Sequence, residues 1–285
     1  MYKCFFESDN GKTYNFGTDG RTVFDMNLGE GVSVDLGTSQ GFQQIGETVE
    51  SQSVLGRDIE VKGIIYDDVS QRRKQLRSVF APFTAGKLVF DGKHYIRVFV
   101  KESPSFSPIK NDGRFTMFLF APFPFFYNVN KTTESVGKTV ATFSFPINFA
   151  EPHSFGTTDK SQAVMVYNGG DVAVPFEFFL KNNGAVLSGV SLKNSTTGEI
   201  LTIDAALAHL DEMRLFKNEN GVVRLERIAV SAGVTEPIDI TSSIGEESTF
   251  FSLARGENLI SISASGEDFI ATISFNEAVV AVYED

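Results

Sequence analysis

The stretch that decides the fold begins Arg57-Asp58-Ile59-Glu60-Val61-Lys62-Gly63 and ends Phe118-Leu119-Phe120-Ala121-Pro122-Phe123-Pro124-Phe125-Phe126. Between these ends lie a short basic segment over 69–80, the turn Ala81-Pro82-Phe83, then Gly86, Leu88 and a hairpin. Nothing in it groups acids, histidines or nucleophiles as catalysis would need. It reads as a stiff β-rich platform carrying one helix, an object suited to packing against copies of itself.

In that hairpin Asp91-Gly92 separates 87–90 from 95–100, where Tyr95, Arg97 and Phe99 face one way and Ile96, Val98 and Val100 the other. The same turn chemistry recurs. Asn10-Gly11 separates 3–6 from 13–16, Asn183-Gly184 separates 176–180 from 186–192, and Asn220-Gly221 separates 213–216 from 222–225. Such pairs reach positive φ at little cost and fit the short turns that join antiparallel strands. Residues 259–263 and 269–275 also alternate, with Ser265-Gly266-Glu267-Asp268 as the turn. Strands with one apolar face must stack on a second sheet. The expected fold is all-β and mainly antiparallel, with two sandwich- or barrel-like domains and one short helix.

That helix is expected over 69–80. Asp68 is placed to cap it, Leu76, Val79 and Phe80 give it an apolar stripe, and Pro82 prevents it from running much further. Arg72, Arg73, Lys74 and Arg77 make the remainder basic, and no acid interrupts 69–80. Like charges so placed repel unless something outside compensates. They are either a solvated face or a contact surface for an acidic partner or a neighbouring subunit, and these four residues are the candidate subunit-interface residues. A second helical candidate, 205–210, is very short. The domain reading is 1–130, a connecting segment 131–162 with a strand expected at 139–145, and a C-terminal domain 163–285.

Composition narrows the function. Phe occurs 28 times against 7 Tyr and no Trp, which favours dry cores and dry subunit contacts and suits sugar recognition badly. A net charge of −11 argues against wholesale nucleic-acid binding. Cys4 is the only cysteine, so no intrachain disulfide can form, and its place in the first strand suits a small buried hydrophobe. No run reaches the length of a secretory or membrane segment, so synthesis and folding in a cytoplasm without membrane insertion are expected.

The search for chemistry is negative. His94, His153 and His209 are scattered, with no metal-ligand spacing among them or with Cys4. There is no phosphate loop and no nucleophile elbow. Asp67-Asp68 and Glu246-Glu247 read as solvated surface, and the Asn130 and Asn194 acceptor patterns as chance matches. No catalytic residue, metal or cofactor is expected, and no enzyme activity.

The stretch from Ser53-Val54-Leu55-Gly56 through Gly63, the helix with Leu76 and Phe80, then Pro82, Gly86, Leu88, Pro104 and the closing Ala121–Phe126 run resembles the N-terminal part of the phage distal tail proteins called Dit. Such proteins occur in long-tailed phages, prophages and tail-like bacteriocins. Further along, Tyr167-Asn168, Pro175-Phe176, Asn194 to Gly198, Phe250-Phe251 and Gly256-Glu257-Asn258 add to the likeness. The resemblance covers nearly the full length and is firmest over 53–126. It implies a homohexameric ring built from N-terminal domains, with a galectin-like C-terminal sandwich. That ring would join the tail-tube protein to a tail-associated fibre or lysin protein and to receptor-binding proteins at a virion tail tip. The competing expectation is a carbohydrate-binding module used in host-wall attachment.

Overall fold

The computed structural model describes residues 3–17, 21–28, 31–109, 111–136, 139–140, 157–158, 163–218, 221–234, 236–266 and 268–282. The chain divides into two compact units: Met1–Asn130 with Ala278–Asp285, and Lys131–Glu277. The expectation of an all-β, mainly antiparallel chain with one helix is met.

The first unit is built on a sheet that curls, beside which residues 34–54 form a separate two-stranded ribbon. The strands of the curled sheet run in the order Thr13–Phe16, Cys4–Ser8, Ala85–Phe90, His94–Phe106, Arg114–Ala121, Arg57–Ile65, Thr22–Met26. Every second residue is buried along Arg114–Ala121, and Phe115, Met117, Leu119 and Ala121 point inward. The first and last strands of this order meet again: the Tyr14 and Thr22 hydroxyls are 3.2 Å apart, and the Phe16 and Phe24 rings 5.4 Å apart. Helix α1 (Val69–Val79) supplies Leu76 and Val79 to the enclosed core, followed by Phe80. Phe80 lies 4.4 Å from Phe6 and 5.8 Å from Phe16, ring centre to ring centre.

Two glycines of the resemblance have a steric reason. A Cβ on Gly86 would stand 2.7 Å from both the Phe6 ring and the Ser8 Cα, and one on Gly63 would stand 2.8 Å from the Val23 carbonyl oxygen. Strands can close this tightly around aromatic rings only where no side chain intervenes.

Arg57 ties the chain's end to this unit. Its guanidinium lies 5.1 Å from the centre of the Phe126 ring and donates to the carbonyls of Leu28 at 3.1 Å and Val280 at 3.2 Å. Beside it Phe126–Asn128 pairs with Ala278–Val279. Residues 278–282 therefore group with the first unit, where the sequence reading had carried the C-terminal domain through to 285.

The second unit is a β-sandwich of a six-stranded and a four-stranded sheet. The six strands run Thr132–Val136, Phe269–Phe275, Phe176–Asn182, Glu212–Lys217, Val223–Ile228, Ile238–Asp239. The four run Ala163–Asn168, Gly256–Ser263, Val190–Asn194, Ile200–Ile203. Asp211, fully buried, is ion-paired to Arg227 and accepts the Ala208 N–H at 3.1 Å.

Several local expectations need correction. Asn183-Gly184 does not make a hairpin: Phe176–Asn182 pairs with Glu212–Lys217 and Phe269–Phe275, and the chain then crosses to the other sheet. The crossing is held by the Asn183 and Gly184 N–H groups, both donating to the Asp268 carbonyl, and by Gly184 N–H donating to Asn182 Oδ1 at 2.9 Å. The turn at 265–268 likewise links strands of different sheets. The other three pairs do turn antiparallel partners, with Gly11, Gly92 and Gly221 all at positive φ; Asn220 lies outside the described residues. Asp68 stands at the N-cap position with φ 48° and its side chain makes no capping bond, because capping needs an extended backbone there. Residues 205–210 are not helical; Leu207 instead bridges to Leu187. Of the strand expected at 139–145, Thr139–Val140 is present, paired with Thr157–Thr158, and the remainder lies outside the described residues.

Candidate assembly surfaces

Residues 31–56 form an arm that the sequence reading passed over. Among the described residues, Val34–Ser39 and Thr48–Val54 pair only with each other, as a separate two-stranded sheet. The register sets Val34 opposite Val54, Leu36 opposite Gln52 and Thr38 opposite Val49. Directly opposed residues share a face, so one side of the arm is largely apolar and the other carries Asp35, Gly37, Ser51 and Ser53. At the tip the Gln44 side chain accepts from the Gly41 N–H at 2.9 Å and donates to the Thr48 hydroxyl, which fixes the turn. Beside it Phe42 is 96% exposed and Ile45 fully so, with a relative accessibility of 102%.

This arrangement is costly as it stands. A two-stranded ribbon is marginal in water, and each large apolar side chain left out of a core forgoes about 1.5–3 kcal/mol of burial. Contiguous exposed apolar surface marks a contact site. The arm contains Asp35, Glu47 and Glu50 and no Lys or Arg.

The four candidate interface residues lie on α1, and the structure divides them. Arg73 donates to the Ser107 carbonyl at 2.6 Å, and its guanidinium lies 4.6 Å from the centre of the Phe106 ring. Arg77 lies over the same ring at 4.9 Å. The ring's negative face offsets part of the repulsion between these two cations. Lys74 and Arg77 are exposed and Arg72 is half-buried. Near the helix, the Arg114 N–H and then the Ser107 hydroxyl, helped by the Arg114 and Arg73 charges, hold the Asp112 carboxyl below its usual range against the opposing effect of desolvation.

Just beyond the helix, Phe83 is fully exposed at 104% and has φ 64°. The Thr84 N–H donates to the Ala81 carbonyl at 3.2 Å, so Ala81-Pro82-Phe83-Thr84 is a turn with Pro second and Phe third. Glycine is the usual residue at a third position with positive φ, and a phenylalanine there costs about 1–2 kcal/mol. An aromatic ring thus stands in solvent on a strained backbone.

Groups that could do chemistry are absorbed elsewhere. Cys4 is buried, and burial, then the Asp91 charge, push its thiol far above its ordinary pKa, so it is no nucleophile at neutral pH. His209 is exposed with Nδ1 3.0 Å from the Gly184 carbonyl, His94 is half-buried, and His153 lies outside the described residues. Asp67, Asp68, Glu246 and Glu247 are all exposed. Asn194 is fully buried with its amide donating to Asn258, closing it to a glycan. Among the described residues no group of His, Cys, Asp or Glu is arranged to hold a metal ion, and no helix is long and apolar enough to cross a membrane.

On the second unit, Glu177 joins Lys131 at 2.8 Å and Arg214 at 3.2 Å. Burial raises its pKa, but the bonds and charges of Lys131 and Arg214 outweigh that and hold it low. Arg214 in turn lies 4.5 Å from the centre of the Phe216 ring. Lys131, Glu177, Arg214 and Phe216 are thus engaged with one another.

No family model matches the chain, and no curated protein does. Solved structures do. The crystal structure of the phage SPP1 Dit (gp 19.1) protein, described as a paradigm of the hub adsorption apparatus in phages infecting Gram-positive bacteria, aligns with TM-score 0.67 at 12% identity. That alignment covers 98% of this chain and 99% of that one. A chain of the phage P2 baseplate in its activated conformation with Ca aligns with TM-score 0.54 at 12% identity, over 99% of this chain and 100% of that one. The corresponding Sr structure gives 0.51 at 11% identity, over 99% and 100%. The chain shares the fold of these proteins over nearly its whole length, in keeping with the resemblance to Dit proteins.

Proposed function

We propose that this protein is a structural subunit of a phage tail tip, which assembles through its first unit into a ring, six-membered by the Dit resemblance. The ring joins the tail tube to the fibre or lysin protein and the receptor-binding apparatus. One observation carries the reading: among the described residues, the two strands of the arm pair with no other strand and leave their apolar side chains exposed. A head-to-tail ring needs a stiff subunit with unlike faces, because the contact closes only at a fixed angle. The curled sheet, packed on phenylalanine, supplies that stiffness, and an arm reaching a neighbour supplies an unlike face. The full-length likeness to SPP1 Dit and the P2 baseplate chain supports a tail-tip role. The second unit, galectin-like by the same resemblance, serves as a docking body for attachment proteins. The engagement of Glu177, Arg214 and Phe216 with each other gives no support to the carbohydrate-binding alternative.

The test is light scattering across a concentration series with negative-stain imaging. The intact chain is expected to form six-fold rings, and a variant with 34–54 replaced by a short turn to remain a folded monomer. An intact chain that stays monomeric at every concentration, with no rings on the grid, overturns the reading.

A further inference from the structure

We infer that the surface formed by α1 and Phe83 receives the arm of a second copy of this chain. The inference rests on the ring reading, and it names the receiving site, which that reading leaves open. Two independent complementarities point to it. The first is charge. The arm carries Asp35, Glu47 and Glu50 without a single base, and α1 carries Arg72, Arg73, Lys74 and Arg77 without a single acid. The two are opposite in sign, and such pairs set register and partner choice. The second is shape and polarity. The arm tip presents exposed Phe42 and Ile45 with Glu47 close in sequence, and exposed Phe83 follows the basic helix six residues after Arg77. An apolar centre rimmed by charge is the anatomy of a protein contact on both sides.

The contact is between copies and not within one. Lys74 and Arg77 on the helix, and both strands of the arm, are exposed in the single chain. Arg73 and Arg77 are steered by Phe106 and Arg73 by the Ser107 carbonyl, so part of the basic rim is oriented before any partner arrives. That lowers the ordering cost of binding.

Phe83→Gly separates this role from folding, because glycine relieves the positive φ. Its expected effect is an increase of about tenfold or more in the concentration for half-assembly, with thermal stability of the monomer unchanged or raised. The charge arm of the test uses two full-length variants. One has Asp35, Glu47 and Glu50 changed to Lys; the other has Arg72 and Lys74 changed to Glu, which leaves the two arginines on Phe106 in place. Neither is expected to assemble alone at low salt. Mixed in equal amounts they are expected to assemble further than either does alone, because the unaltered acidic arm then meets the unaltered basic helix at every second contact and the Lys-bearing arm meets a helix of no net charge at the others. Should Phe83→Gly and the helix variant assemble as the intact chain does, while the arm-less variant does not, the inference falls and the ring reading stands. If the intact chain never assembles, both fall. Failure of the mixture to assemble, with each variant folded, also overturns the inference.

Discussion

Two consecutive runs of strand, Thr48–Val54 and Arg57–Ile65, have opposite fates. They are separated only by Leu55 and Gly56, and both are β-forming. The second buries Arg57, Ile59, Val61 and Ile65 between two neighbouring strands, while every residue of the first is exposed. Strand formation is therefore local here and burial is not. Alternation makes a face, and only a partner decides whether that face becomes a core. In one chain the second run belongs to the platform and the first stays outside it.

Hydrogen exchange gives the largest expected contrast. In dilute, monomeric protein, amides of Arg57–Ile65 should open only with the whole unit, at several kcal/mol, whereas those of Thr48–Val54 should exchange with almost no protection. Equal protection in both would break the comparison and mean that the arm docks within its own chain. Next comes truncation. Phe80→Ala, among the stacked rings of Phe6, Tyr14 and Phe16, is expected to cost about 3–5 kcal/mol in denaturant unfolding, and Phe42→Ala at the arm tip less than about 0.5 kcal/mol. A destabilising Phe42→Ala would show the tip to be a buried element. The smallest contrast is steric. Gly86→Ala must push on the Phe6 ring and the Ser8 backbone and should cost about 1–3 kcal/mol. Gly31→Ala, with nothing within 4 Å, should leave unfolding unchanged and sharpen the boundary of the platform.

The candidate site was legible only in part. The basic residues Arg72, Arg73, Lys74 and Arg77 stood out because four bases without an acid is a local fact of the sequence. That Phe106 would lie under two of them was not readable, since it sits far along the chain at the end of His94–Phe106. The arm escaped notice because its Val and Leu alternation is that of an ordinary core strand. Its one available signal was the absence of Lys and Arg over 31–56. Phe83 read as part of a turn, and nothing local announced that a ring would take glycine's place.

By itself the sequence determined the class of the fold. Period-two alternation, Asn-Gly and Asp-Gly turns and one basic helix stopped near Pro82 are local signals, and local sterics suffice to read them. Pairing was decided only by the tertiary structure. The Asn183-Gly184 and 265–268 turns switch sheets because the faces of distant strands, and not the turn residues, choose the partner. Which alternating strand would be buried was settled in the same way, for burial belongs to two surfaces and a sequence displays them one at a time.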